Sequence, residues 1–344
     1  MSKGKKIIFV VLIVLLIISL VVYYFISKKN DVKEVSPVEK KKVPVKRIKI
    51  VSEDSKSRPI AVMINNNHAA WPHAGLADAY ITYEIIAEGG ITRLMAIFKD
   101  KDTSKIGSVR SSRPYYLDYA LENDAIYVHF GYSEDARSDI SSLGVDNING
   151  LTDESVFWRD ISLNKALEHT AFTNMEKIKE FSKEKGYDRD TNKPLLLKYS
   201  VDEIDISQME DAIKADSIYL KYSNYTNSSY EYDNEGKVYK RSMSGEAHVD
   251  AITGEQYTYK NIIVVPLKNY SYDSYGRQKL ENIGTFDGYY ITNGYSVPIT
   301  VTKESRDSQT IYKYRDGSIV KFNDGNTFIQ ITPLGEEVKI ESNE

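Results

Sequence analysis

One run near the amino terminus, Ile7–Ile26, holds twenty residues without a charge, and its texture is unlike anything that follows. As a helix it is long enough to cross about 30 Å of hydrocarbon, and Tyr23, Tyr24 and Phe25 at its far end suit the membrane interface. It exceeds the usual apolar core of a signal peptide, and no small-x-small pattern follows, so the pattern predicts an anchor rather than a cleaved leader. Residues 28–57 are charged, contain Pro37 and Pro44, lack aromatics, and read as an extended, self-repelling tether. The expected division is a cytoplasmic tail and anchor over 1–27, the linker over 28–57, an α/β domain over 58–216 and a β-rich domain over 217–344.

From Arg58 onward short apolar runs alternate with polar turns. Ile60–Ile64 predicts a strand running into Asn65-Asn66-Asn67-His68. Ala79–Ala87 and Ile91–Phe98 flank Gly89-Gly90, which is a hairpin signal. If the two glycines are the whole loop, Glu88 pairs with Ile91, Ile86 with Arg93 and Glu84 with Met95. Alternation then sets Glu84, Glu88 and Arg93 on one face, with Tyr83, Ile85, Ala87, Leu94 and Ala96 on the core face. Ser112-Arg113-Pro114 predicts a serine-capped helix over Pro114–Glu122, followed by a buried strand at Ala125–Phe130. Ser133 caps a helix to about Leu143, and Met175–Lys185 forms another that ends at Gly186. In a β–α–β arrangement, strand exits and helix starts share one sheet edge, which brings Arg110, Arg113 and His129 to one rim. From about Ser217 the pattern becomes alternating tyrosines and glycine-containing turns, a meander of half-exposed strands. The predicted class is α+β: an amino-terminal α/β domain with a mixed sheet, then a smaller all-β domain, behind one transmembrane helix.

Composition narrows the chemistry. A net charge of −4 and a pI near 5.9 give no footprint for nucleic acid. The absence of cysteine removes disulfides, thiolate metal sites, cysteine nucleophiles and an acylated amino-terminal cysteine. No phosphate-binding loop, Gly-x-Ser-x-Gly elbow, His-Glu-x-x-His helix or EF-hand loop is present, so no cofactor and no metal is expected. What remains is the charge set among the apolar segments of Ile81–Gly131, where uncompensated charge is costly. Glu84 and Glu88 could form an acid/base pair for glycoside cleavage. Arginines beside them would instead hold them ionised, which suits binding an anionic or hydroxyl-rich ligand. An ion-pair lattice that only fixes two sheet edges is the third reading.

The segments RPIAVMINNN, YEIIAEGGITRLMAIF, IGSVRSSRPYYLDYA and AIYVHFG resemble the amino-terminal domain of the YerB family, the DUF3048 proteins. NIIVVPL, DGYYITNGYSVPITVTKESRD and NDGNTFIQITP resemble that family's carboxy-terminal domain. The resemblance implies an extracytoplasmic envelope protein of a Gram-positive bacterium, and hence an outward-facing body. Lysine and arginine counting alone would keep the body in the cytoplasm, because Lys28–Lys49 is more basic than the short tail, but long carboxy-terminal domains often translocate regardless of charge. By resemblance the recurring polar residues are Asn66, Glu84, Glu88, Arg93, Arg110, Arg113 and His129. Arg159 and His169 fall in a later pattern, in which Glu168 and Thr170 replace its proline and asparagine. Val301 stands where the family usually has tryptophan, and Ile7–Ile26 would replace a lipid anchor. The expectation is a membrane-anchored protein acting on peptidoglycan or another wall glycan. Glu88 or Glu84 would be general acid/base, with His129 orienting or shuttling protons. Asn66, Arg93, Arg110, Arg113, Arg159 and His169 would bind the ligand. The alternative is a non-catalytic module that binds wall glycan or an envelope protein partner.

Overall fold

The computed structural model describes residues 2–29 and 47–343. The chain divides into two compact units, Met1–Lys46 and Arg47–Glu344. In the first, helix α1 (Lys3–Lys29) buries no side chain, and among the described residues it is the helix long and apolar enough to cross a membrane. Most of the expected tether lies outside the described residues.

The second unit begins earlier than the expected boundary at residue 58. Ile48 and Val51 are buried against the core, and the Lys49 and Ile50 amides donate to the Asp324 carboxylate at 2.9–3.0 Å. Two apolar positions among many lysines suffice to fix the entry of the chain, because each buries its side chain at a sheet face.

An eleven-stranded mixed sheet forms the middle of this unit. Its centre holds β1 (Ile60–Asn65), β2 (Ile81–Ile86) and β3 (Thr92–Phe98). β3 lies antiparallel between β1 and β2, and Ile126–His129 extends the sheet parallel to β1. On the other side, β2 pairs in parallel with Thr327–Pro333, which pairs with Asn261–Leu267. The carboxy-terminal half therefore contributes strands to the same sheet as the amino-terminal half. The change of texture near Ser217 marks a change of strand type without a break in the core.

Alternate residues supply opposite faces. Met63, Tyr83, Ile85, Met95 and Ile97 pack on one side with α2 (Pro114–Glu122), while Val62, Ile64, Leu94, Ala96 and Phe98 pack on the other. That second face is covered by α4 (Met175–Glu184) and by a six-stranded antiparallel sheet built mainly from residues 217–259. Cover on both faces explains the near-continuous apolar runs of β1 and β3. Helix α3 (Glu134–Ser142) starts at Ser133, whose side chain accepts from the Ala136 amide, as expected. The expected serine cap of α2 is corrected: Arg113 is the cap residue, and Ser112 Oγ accepts from Tyr127 OH.

The hairpin register is also corrected. Ala87 N donates to Ile91 O, so the loop holds three residues, Glu88-Gly89-Gly90, with both glycines at positive φ. Glu84 faces Leu94, and Arg93 faces Ile85. A one-residue slip moves every side chain of one strand to the other face. Arg93 thus joins Met95 and Ile97 on the α2 side, whereas Glu84 points with Leu94 and Ala96 beneath the second sheet.

Candidate functional site

At the end of the sheet where β1 and β2 exit and β3 begins, arginines gather around Glu88. Its position in the tight glycine loop, rather than on a strand, lets it be reached from two elements. Arg113 enters extended (φ −133°, ψ 152°) at the start of α2 and grips Glu88 with two groups, Nε on Oε1 and Nη2 on Oε2 at 2.9 Å. Arg93 Nη2 adds a contact to Oε2 at 3.3 Å. The remaining Nη1 groups donate at 2.6 Å to backbone carbonyls, Arg93 to Ser111 and Arg113 to Ser112. This is the bidentate geometry that makes arginine a strong carboxylate partner. Burial alone would raise the Glu88 carboxyl, but the Arg113 hydrogen bond and the charges of Arg93 and Arg113 hold it below its ordinary range. Burial, and then the neighbouring Arg113 charge, lower Arg93 to about 10.

The positive character continues outward. Arg110, at the same edge, meets Glu168 at 3.5 Å and keeps 28% of its side chain exposed. Arg159 lies over the Phe130 ring at 4.2 Å, and its charge reaches Arg110. Four arginines thus face two carboxylates, Glu88 and Glu168, and the rim carries surplus positive charge.

Glu84 occupies a different setting, with 0% of its side chain exposed. Oε1 accepts from Asn66 Nδ2 at 3.1 Å and Thr92 Oγ1 at 2.7 Å, while Oε2 accepts from Ser228 Oγ at 2.9 Å and Arg241 Nη2 at 2.7 Å. Arg241 is itself fully buried, its guanidinium 4.7 Å from the Phe328 ring centroid. A buried pair with every acceptor position used is tolerable, because the hydrogen bonds replace the lost water. Asn66 is left with a buried Oδ1 that has no partner.

From Arg241 a polar chain leads back to the rim. Arg241 Nη1 lies 2.6 Å from His248 Nδ1, and His248 Nε2 lies 2.6 Å from His73 Nδ1. His73 Nε2 in turn lies 2.7 Å from Asn65 O. Arginine can only donate, so His248 Nδ1 must accept, and its Nε2 proton then goes to His73 Nδ1. His73 therefore donates through Nε2, and both rings are neutral. Burial pushes His73 down to about 4 and His248 well below 6.5, in agreement with those tautomers. Asn65 Nδ2 next donates to His169 Nδ1 at 2.8 Å, and His169 Nε2 faces Glu168 at 3.4 Å.

The structure therefore brings Glu88, Arg93, Arg110, Arg113, Arg159 and His169 into one neighbourhood and sends Glu84 and Asn66 into the interior. His129 shares the sheet edge, but both ring nitrogens are engaged, Nδ1 with Gly131 O at 2.8 Å and Nε2 with Asn147 Oδ1 at 3.1 Å. The expected common face of Glu84, Glu88 and Arg93 is corrected: Arg93 meets Glu88, and Glu84 lies on the opposite face of the sheet. Arg241, His73 and His248 were not anticipated. A signal for Arg241 did exist: it alternates with Tyr239 and Met243, so it takes an inward position where a charge requires a partner.

A family model described as "Protein of unknown function (DUF3048) N-terminal domain" matches residues 48–188, and its "C-terminal domain" counterpart matches 218–329. The curated "Putative lipoprotein YerB" of Bacillus subtilis (strain 168) is 32% identical over 301 residues, spanning 86% of this chain and 87% of that protein. The crystal structure of the YerB protein from Bacillus subtilis superimposes with a TM-score of 0.72 at 29% identity, covering 83% of this chain and 95% of that one.

Proposed function

The chain belongs to the DUF3048 family, and from that premise we propose that it is an extracytoplasmic envelope protein, held by a single membrane span, that binds peptidoglycan without cleaving it. The lipoprotein name of its relative supports an outward-facing body. This chain has no cysteine to acylate, and α1 offers a spanning helix in the place of a lipid. The observation that carries the binding reading is the Glu88 carboxylate held between Arg93 and Arg113. A general acid must keep its proton near neutral pH, which requires a raised pKa, whereas the Glu88 carboxyl is lowered. Surplus arginine charge on the rim suits the free carboxylates of peptidoglycan stem peptides.

The full chain in detergent micelles, mixed with purified peptidoglycan, tests this reading. Sedimentation with the wall should fall several-fold in Arg110→Ala and Arg159→Ala. It should persist in Glu88→Gln, which frees two arginines. No soluble muropeptide should appear. Muropeptides released by the wild type and not by Glu88→Gln would make the protein a hydrolase instead.

A further inference from the structure

Three tyrosines, Tyr115, Tyr270 and Tyr272, line a cleft that the arginine rim does not explain. One residue beyond Arg113 the protein opens into a cleft of about 630 Å³. Its floor is the start of α2, with Pro114 and Tyr115, and its side wall is α3. Its roof is a short hairpin, Asn269–Ser271 paired with Gln278–Leu280, that carries Tyr270 and Tyr272. Both residues are partly solvent-exposed, 43% and 37% respectively. The tip of the hairpin reaches the Glu88 loop: a Cβ on Gly276 would lie 3.9 Å from the Gly89 amide. The hairpin that roofs the cleft therefore also borders the loop that carries Glu88.

We propose that this cleft is a saccharide-binding subsite, taking an N-acetylated hexose unit of the same polymer whose carboxylates meet the arginine rim. The inference rests on the binding reading above and assigns its sugar contacts. A pyranose ring has an apolar C–H face and a hydroxyl edge, so it needs an aromatic surface beside planar hydrogen-bonding groups. Tyr270, Tyr272 and Tyr115 supply the first, since tyrosine combines an apolar body with a polar end. Asp118, Asp139 and Asn282 supply the second, and they are pre-set. Arg306 binds Asp118 Oδ1 at 2.6 Å and Asp139 Oδ2 at 2.9 Å, while Asn282 Nδ2 donates to Asp118 Oδ2 at 3.0 Å. Such a frame loses little freedom on binding. Tyr272 OH donates to Asp135 and holds the roof against α3. The size is in the usual range for small-ligand clefts, roughly 300–1,000 Å³. The cleft is lined by four carboxylates against two cations, which disfavours a polyanion and favours a neutral sugar. A net-negative cleft beside a net-positive rim fits a polymer with neutral sugars and acidic side arms.

The test uses the full chain in detergent micelles and a neutral oligosaccharide of N-acetylglucosamine, read by titration calorimetry, beside sedimentation with peptidoglycan. The wild type should bind the oligosaccharide saturably, and Tyr270→Ala and Tyr272→Ala should each weaken it at least tenfold. Tyr272→Phe keeps the ring, loses the bond to Asp135, and should retain most of the affinity. Arg110→Ala should leave oligosaccharide binding unchanged while weakening sedimentation. Absence of oligosaccharide binding, with Arg110-dependent sedimentation intact, overturns the cleft assignment and leaves the binding reading standing. Oligosaccharide binding without any sedimentation would do the reverse. Equal affinity in wild type and Tyr270→Ala would also overturn the cleft.

Discussion

Glu84 and Glu88 stand one helical turn apart in sequence, both beside arginine, and the fold gives them opposite work. Glu84 lies between two sheets, closed from water, and joins β2 to Arg241 of the carboxy-terminal half. Glu88 lies in a three-residue loop at the sheet edge, gripped by arginines that keep a path to solvent. Four hydrogen bonds surround the first, so little is left for a ligand. Around the second the arginines outnumber the carboxylates. A charge enclosed by protein specifies how two halves assemble, whereas a charge at an edge with surplus partners can take part in recognition.

The largest effect expected from this contrast is on the buried side. Arg241→Met leaves Glu84 enclosed without its cation and should cost about 3–5 kcal/mol of stability, seen as a large drop in the thermal midpoint by circular dichroism. Adding Glu84→Leu should recover part of that loss. A double variant as unstable as the sum of the singles would mean that the two side chains do not form a pair.

Acid should act on the same region. His73 titrates near 4 in the fold, against 6.5 for an ordinary histidine. Between those values the unfolded chain binds a proton that the folded chain refuses, so stability is complete above about 6.5 and falls as the pH drops toward 4. The loss assigned to His73 is roughly 3 kcal/mol, and His248, also lowered, acts in the same direction. His73→Gln should flatten the pH dependence of the midpoint in that window.

The rim should respond least in stability and most in binding. Arg110→Ala should move the unfolding free energy by no more than about 0.5 kcal/mol while weakening sedimentation with peptidoglycan. A large loss of stability with unchanged binding would place Arg110 with the buried region instead.

Helix starts and turns were readable because their determinants are local: Ser133 caps α3, and the Ala87–Ile91 closure differs from the expected hairpin by one residue. That one residue decided the face of Arg93, since Gly89-Gly90 fits a two-residue loop as well as the larger loop that includes Glu88. Ile48 and Val51 were hidden among lysines, because burial of two isolated side chains leaves no periodic trace. The Arg241 partnership could not be read, because 157 residues separate it from Glu84. Only the pairing of β2 with Thr327–Pro333 and the stacking of a second sheet bring the two together. The arginine cluster was legible as a group, and the departure of Glu84 and Asn66 from it into the interior was not.

The account depends most on the state of the Glu88 carboxyl. Carbon-13 labelling of glutamate, with Glu88→Gln to assign the signal, allows its titration to be followed by NMR. A midpoint below the ordinary glutamate value near 4.5 is predicted, because Arg113 and Arg93 outweigh its burial. A midpoint at about 6 or above would mean that Glu88 holds a proton near neutrality as a catalytic acid does, and would contradict the binding site described.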